Sequence, residues 1–186
     1  MFEWLISLSH DDRGNVMTFG YSAENTDEVP ASPWEGNRSP AAVGANRHLK
    51  RIRYGNRTPY HPTMHADEAE PALPAGWLFE LVLDYGDHSG EFPAPLPDRP
   101  WACRPDAFSG HRAGFELRTY RRCERILMFH HIPQDPAVGV DCLVKVTEFG
   151  YSGLPADQRQ PTGAGLSLLA EVGHRSVAAD EVGDRH

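Results

Sequence analysis

The sequence predicts an all-β fold of antiparallel hairpins, and three observations carry that prediction. Sixteen prolines and seventeen glycines spread through 186 residues interrupt long helical patterns and supply turns. Between them, runs of six to ten residues alternate apolar and polar side chains with the period of a half-buried strand. The length itself suits one domain with a real core and is short for two.

Seven strands follow in order. "WLISLS" (4–9) and "VMTFGY" (16–21) flank "HDDRGN", whose Asp, Gly and Asn supply the positive-φ positions of a hairpin turn. Residues 22–47 carry repeated proline turn signals and no period, so they form a long connection that needs something to pack on. "LKRIRY" (49–54) alternates Lys50, Ile52 and Tyr54 with Leu49, Arg51 and Arg53. "WLFELVLDY" (77–85) is the clearest strand: Trp77, Phe79, Leu81, Leu83 and Tyr85 line one face, and Leu78, Glu80, Val82 and Asp84 the other. A proline-rich loop separates it from "GFELRTY" (114–120). "CERILMFHH" (123–131) puts Ile126, Met128 and His130 opposite Arg125, Leu127, Phe129 and His131. "CLVKVTEFGY" (142–151) sets Val144 and Val146 against Leu143, Lys145, Thr147, Phe149 and Tyr151. Trp77, Phe79, Phe115 and Phe129 are the expected packing residues. From Leu154 onward the chain has no aromatic residue and one short apolar patch, "LSLLAEV", which reads as a poorly ordered or weakly helical tail.

A net charge of −8 and a pI near 5.6 argue against a nucleic-acid partner, because phosphate binding needs clustered Lys and Arg. No run approaches the eighteen apolar residues of a membrane span. The N-terminus lacks the basic region and small-residue cleavage site of a Sec signal. Cys103, Cys123 and Cys142 are odd in number and show no CxxC spacing, so they read as buried thiols.

Chemistry is invited by "FELRTYRRCERILMFHH" (115–131), where Cys123 with His130 or His131 offers a thiol and a base. One extended strand would hold them about 23–27 Å apart at ~3.3 Å per residue, so strand geometry opposes the pair, and the arginines read as a wet or cross-strand paired face. His61 and His65 have helical spacing beside Asp67 and Glu68, but Pro62 between them favours a surface loop over a metal site. The basic run "RHLKRIR" (47–53) divides its charges between two strand faces and reads as solvated. There is no Gly-rich phosphate loop and no G-x-S-x-G. The sequence singles out no catalytic, cofactor-binding or metal residue, and no cofactor is expected.

Three phrases carry a family resemblance: "ANRHLKRIRYGNRTPY" (45–60), "GWLFELVLDYGDH" (76–88) and "RPDAFSGHRAGFELRTYRRCERILMFHH" (104–131). They resemble the SpvB-type region shared by Salmonella virulence plasmid protein B and the B component (TcdB/TcaC-like) of insecticidal toxin complexes, the Tc toxins. "GNVMTFGYSAEN" and "CLVKVTEFGYS" fit the same pattern in the same order, so the resemblance covers about residues 2–153. It implies a non-catalytic segment of a large curved Rhs-type sheet. In Tc toxins such a segment contributes to a hollow shell, built with the C component, that encloses a toxic effector and docks on the pore-forming A component. The implied partners are therefore the rest of the same toxin subunit and the C and A components. The implied location is outside the cell as part of a toxin complex, or the cytoplasm for a fragment alone. Residues 1–153 are then an SpvB-like segment of a larger, truncated or frameshifted toxin gene, and 154–186 an unrelated tail. An alternative is a free-standing β module binding protein or carbohydrate through exposed aromatic strands. A further alternative is an ADP-ribosyltransferase, of whose strand Arg, Ser-Thr-Ser and Glu-x-Glu elements only "EAE" (68–70) is matched.

Overall fold

The turn at Asp11 sets the first hairpin by local hydrogen bonding. Its carboxylate accepts from the backbone N–H groups of Arg13 and Asn15, both at 2.9 Å, and from the Asn15 amide at 2.7 Å. Gly14 completes the turn at φ +85°, where an added Cβ would lie 2.8 Å from Pro59. The computed structural model describes residues 4–33, 35–63, 67, 69, 71–152 and 166–177. Among them the elements are β1 (Leu8–His10), β2 (Val16–Ala23), a single-turn α1 (Pro40–Val43), β3 (Arg47–Asn56), β4 (Trp77–Asp84), β5 (Phe108–Gly110), β6 (Leu117–Thr119), β7 (Arg125–Ile132), β8 (Gly139–Ser152) and β9 (Leu168–Ser176).

Seven strands form one sheet in the order β1-β2-β3-β4-β7-β8-β9, and β5 with β6 makes a separate ribbon. Every pairing is antiparallel. The sheet is a meander with one excursion: the chain leaves at Asp84, builds the ribbon, and returns at Arg125 to lie beside the strand it left. The all-β, antiparallel prediction holds.

The packing face differs from expectation. Leu127 and Phe129 of β7 are fully buried with Val82 of β4, Leu143 and Val146 of β8, and Val177, and Phe92 of the excursion lies against them. The core thus sits on the face that carries Glu80, Val82 and Asp84. Trp77, Phe79, Leu81 and Leu83, on the more apolar face, are only half-buried. The excursion crosses the former face, and its carboxylates find arginine partners there, which removes the objection to burying them. Of the four expected packing residues, Phe129 is in the core, Trp77 and Phe79 are half-buried, and Phe115 is 54% exposed.

Three further differences have local causes. β8 does not alternate strictly. Met128 faces Lys145 while Phe129 faces Leu143, so Val144 is an extra bulge residue that brings Leu143 and Val146 to one face. The expected strand at 114–120 shrinks to Leu117–Thr119, since only that stretch has a partner, β5. The expected disordered or weakly helical tail is instead a strand over 168–176, because β8 leaves an unpaired edge whose backbone groups that segment satisfies from Lys145 to Ser152. Residues 154–165 and 178–186 of the expected tail lie outside the described residues.

Replacing Phe129 by Ala is expected to cost about 3–5 kcal/mol, the range for a fully buried aromatic. The same change at half-buried Trp77 should cost less than half as much. Urea denaturation of the two variants measures both, and equal losses would contradict the burial pattern.

Candidate functional site

The tightest polar arrangement begins where β4 ends, at "DYGDH" (84–88). Asp84 is 1% exposed. One of its oxygens accepts from the backbone N–H groups of Gly86 (2.8 Å), Asp87 (3.0 Å) and His88 (3.3 Å), and the other from Arg125 Nε at 2.7 Å. The carboxylate folds the chain back over the sheet, as Asx turns do. Gly86 takes φ +85° there, where a Cβ would meet that of Ala102 at 2.7 Å. Lys50 reaches in from β3, its Nζ 2.7 Å from Asp87 and 2.8 Å from the Leu83 carbonyl it donates to. Lys50 Nζ also lies 3.1 Å from His88 Nε2, while His88 Nδ1 lies 3.0 Å from the Ala94 carbonyl. The neutral ring that donates at Nδ1 and accepts at Nε2 satisfies both contacts. Burial, and then the Lys50 charge, holds the His88 pKa below its ordinary 6.5.

A second cluster fastens the long 22–47 connection. Glu24 and Arg121 are an ion pair at 2.8 Å with both side chains wholly out of solvent. Arg121 spends its remaining donors on the carbonyls of Trp101, Asn25 and Asp27 and on the Asn25 side chain, and its guanidinium lies 4.7 Å over the Trp101 ring. Glu24 also accepts from the Tyr120 backbone N–H at 2.8 Å and meets His48 Nε2 at 2.9 Å. Burial alone would raise the Glu24 pKa, but the His48 and Tyr120 bonds and the nearby cations hold it below the usual value. Further along, Glu35 meets Arg38 and Arg118, and Arg38 meets Glu116. The hydrogen bonds from Arg38 and Ser109 lower the Glu116 pKa to about 2. The long connection therefore packs on β6 and the segment after it through charge.

Arginines also pin the excursion across the inner sheet face. Arg51 of β3 donates to the Pro95 carbonyl at 2.8 Å, Arg125 of β7 to the Gly90 carbonyl at 3.0 Å and the His88 carbonyl at 2.9 Å, and Arg175 of β9 to the Glu91 carbonyl at 3.1 Å. Glu80 beneath them accepts from Arg51 and Arg53 and lies 3.2 Å from His131. The basic run at 47–53 is therefore solvated only in part: Lys50 and Arg51 side chains are 11% and 18% exposed and bind carboxylates, while Arg47 is exposed and Arg53 is 42% exposed. Sequence reasoning missed this because alternation assigns faces without saying what crosses them.

The chemical candidates that the sequence suggested do not come together. Cys123 donates to the Arg125 carbonyl at 3.3 Å, and burial pushes its thiol up to about 12. His131 meets Glu80 and Asp141 instead of Cys123, and β7 runs unbroken from Arg125 through both histidines. His61 packs beside Gly14, while His65, Glu68 and Glu70 lie outside the described residues, so the metal and Glu-x-Glu motifs do too. Among the described residues no three His, Cys, Asp or Glu side chains converge as a metal set. An open cleft of about 1020 Å³ lies between the 28–35 and 99–107 segments, with Tyr120 and Arg122 on its wall. Its arginines are engaged: Arg104 with Asp106, Arg122 with Glu124 and Ser167, and Arg99 with the Gly86 and His88 carbonyls. Cys103 there has a pKa raised by burial. The arrangement binds loops to a sheet; it presents no activated thiol beside a base.

Comparison with known proteins finds relatives of this chain. Residues 1–132 match the family model "SpvB: Salmonella virulence plasmid 65kDa B protein". The mono(ADP-ribosyl)transferase SpvB of Salmonella typhimurium strain 14028s is 37% identical over 136 residues, which are 72% of this chain and 22% of that protein. The chain thus spans about a fifth of the relative's length. The N-terminal domain of effector protein SpvB from Salmonella typhimurium strain LT2 superposes with a TM-score of 0.75 at 33% identity, covering 94% of this chain and 51% of that one. The matched portion therefore extends past residue 153, against the expectation of an unrelated tail. The TcdB2–TccC3 structure without its hypervariable C-terminal region gives a TM-score of 0.66 at 35% identity, over 80% of this chain and 7% of that one.

Two outcomes follow from the buried charges. Arg121→Met leaves Glu24 buried without its cation and is expected to cost about 3–5 kcal/mol by urea denaturation, part of it recovered by adding Glu24→Gln. His88, with its folded pKa depressed, is protonated in the unfolded chain before it is in the native one, so its contribution is complete above about pH 6.5 and lost as pH falls below it. The urea midpoint should drop between about pH 7.5 and pH 5.5, and His88→Gln should flatten that part of the profile; an unchanged slope would contradict the assignment.

Proposed function

The chain belongs to the SpvB family, and from that membership we propose that it is a non-catalytic structural segment of an SpvB- or Tc-type toxin. In this reading it contributes a curved piece of the β shell that encloses and helps deliver a toxic effector. It works against the rest of the same subunit and the C and A components, outside the producing cell. Its SpvB-like segment includes residues 1–153 and continues beyond them.

The observation that carries the reading is the use of the charged side chains. Glu24, Glu80, Asp84 and Asp87 are buried, and all four are consumed in the framework: Glu80 joins β4 to β3 and β7, and the other three fasten loops. A wall needs this construction: strands that do not slip, with loops that stay on one face. The likeness to TcdB2–TccC3 supports the shell as the setting. A second reading, a free-standing module binding protein or carbohydrate, draws on the row of rings Tyr54, Phe79 and His130, spaced 5.1 and 5.0 Å on the half-buried outer face. The transferase reading has less support, since the name of the Salmonella relative describes a protein of which this chain matches about a fifth.

Two experiments test the proposal. The purified chain, incubated with labelled NAD and a cell lysate, is expected to transfer no label; transfer above a heat-inactivated control overturns the non-catalytic role. Residues 4–152 exchanged into the matched stretch of TcdB2 and co-expressed with TccC3 are expected to yield closed particles by electron microscopy. A soluble chimera that forms none counts against the shell.

A further inference from the structure

We propose that a second copy of this chain pairs with the first along the outer edge of β9, antiparallel, about a two-fold axis at Gly173. β9 ends the strand order, and among the described residues no strand pairs with its outer side. Val177 N–H donates to the Val144 carbonyl at 3.0 Å, which fixes the phase of the ladder. Arg175, Gly173 and Glu171, opposite Val146, Glu148 and Gly150, turn their backbone groups toward β8. Val172 and His174 therefore turn theirs outward.

An antiparallel partner must use those outward groups, and the sequence "EVGHR" (171–175) complements itself when it does so. With Val172 opposite His174 of the second copy, four backbone hydrogen bonds form, two for each such pair. The same register sets Glu171 opposite Arg175 of the second copy, twice by symmetry. These fall at the positions without hydrogen bonds, where facing side chains come closest. Gly173 meets Gly173 on the axis, so no side chain holds the strands apart there. A slide that centres the pairing on Val172 or on His174 keeps the backbone bonds but sets glycine opposite a charge and loses both ion pairs, so charge selects the register.

The flanking surface favours burial. Leu169 and Val172, which the extra residue Ala170 brings to one face, are 56% and 47% exposed, and Leu168 on the other face is 64% exposed, so apolar side chains flank the open ladder on both faces. Arg175 keeps donors for such a partner: one guanidinium nitrogen donates to the Glu91 carbonyl at 3.1 Å, while the contact of the other with the Glu91 carboxylate is 3.5 Å long, between side chains 32% and 68% exposed. The other sheet edge, β1, is three residues long, so a closed isologous pair is favoured over an open chain of copies. Ala170 is an extra residue on β9 between the pairs Gly150–Glu171 and Tyr151–Leu169. It ends the regular ladder, which keeps the contact short and the association dependent on concentration. The inference uses the sheet edge alone and does not depend on the shell reading.

The test is sedimentation equilibrium of the 186-residue chain from micromolar to millimolar concentration at low salt. The mass is expected to rise from 20.7 kDa to a plateau at twice that value. Glu171→Arg, which leaves Arg175 and Glu91 untouched, should weaken association by about tenfold or more, the effect of replacing two exposed attractions by two repulsions. Glu171→Arg with Arg175→Glu should restore it, with circular dichroism confirming the fold of each variant. A chain monomeric throughout, a mass that climbs without a plateau, a dimer indifferent to Glu171→Arg, or a folded double variant that stays monomeric would each overturn the proposal.

Discussion

Charge buried between the sheet and the loops that cross it is the constraint on which the rest of this structure depends. Glu24 and Arg121 lie wholly out of solvent, and Glu80 and Asp84 are nearly so. A carboxylate in that position is tolerated only with its lone pairs filled, and here arginines from neighbouring strands and loop N–H groups fill them. Such pairs add little net stability over an apolar core. Their effect is to penalise every arrangement in which one partner is misplaced, so the strand register and the path of the excursion are fixed together. Arginine suits this task better than lysine because one guanidinium serves several acceptors in a fixed plane, as Arg121 does with Glu24 and three backbone carbonyls.

The same arrangement explains why the buried face of the sheet carries carboxylates beside its apolar core while a row of apolar residues on the other face is only half-buried. One face receives the excursion, held by Arg51, Arg125 and Arg175 on backbone carbonyls. The opposite face keeps Ile52, Tyr54, Trp77, Phe79 and Leu81 half-buried. A sheet so built has one finished side and one that suits contact with more protein.

Cys123, Cys103, His131 and His88 are the groups from which a nucleophile and base would be drawn. Burial raises both thiols, His131 is held between two carboxylates, and His88 is committed to Lys50 and a carbonyl. Each is occupied by the architecture.

The sequence by itself determined the all-β class, the first hairpin, the central strands and the family, because alternation and turn chemistry are local and the matching phrases are long. It determined Phe129 as core, since β7 is apolar at alternating positions on its inward side. It did not determine which face of β4 is buried: Trp77 to Leu83 is the more apolar row, and only the excursion returning over Glu80 and Asp84 decides against it. Nor did it show that Val144 is a bulge, that the basic run at 47–53 is paired, or that 168–176 is a strand. Each of these depends on a partner distant in sequence, β7, Glu80 with Asp87, and β8, and a side chain or backbone group cannot show before folding which distant group will satisfy it.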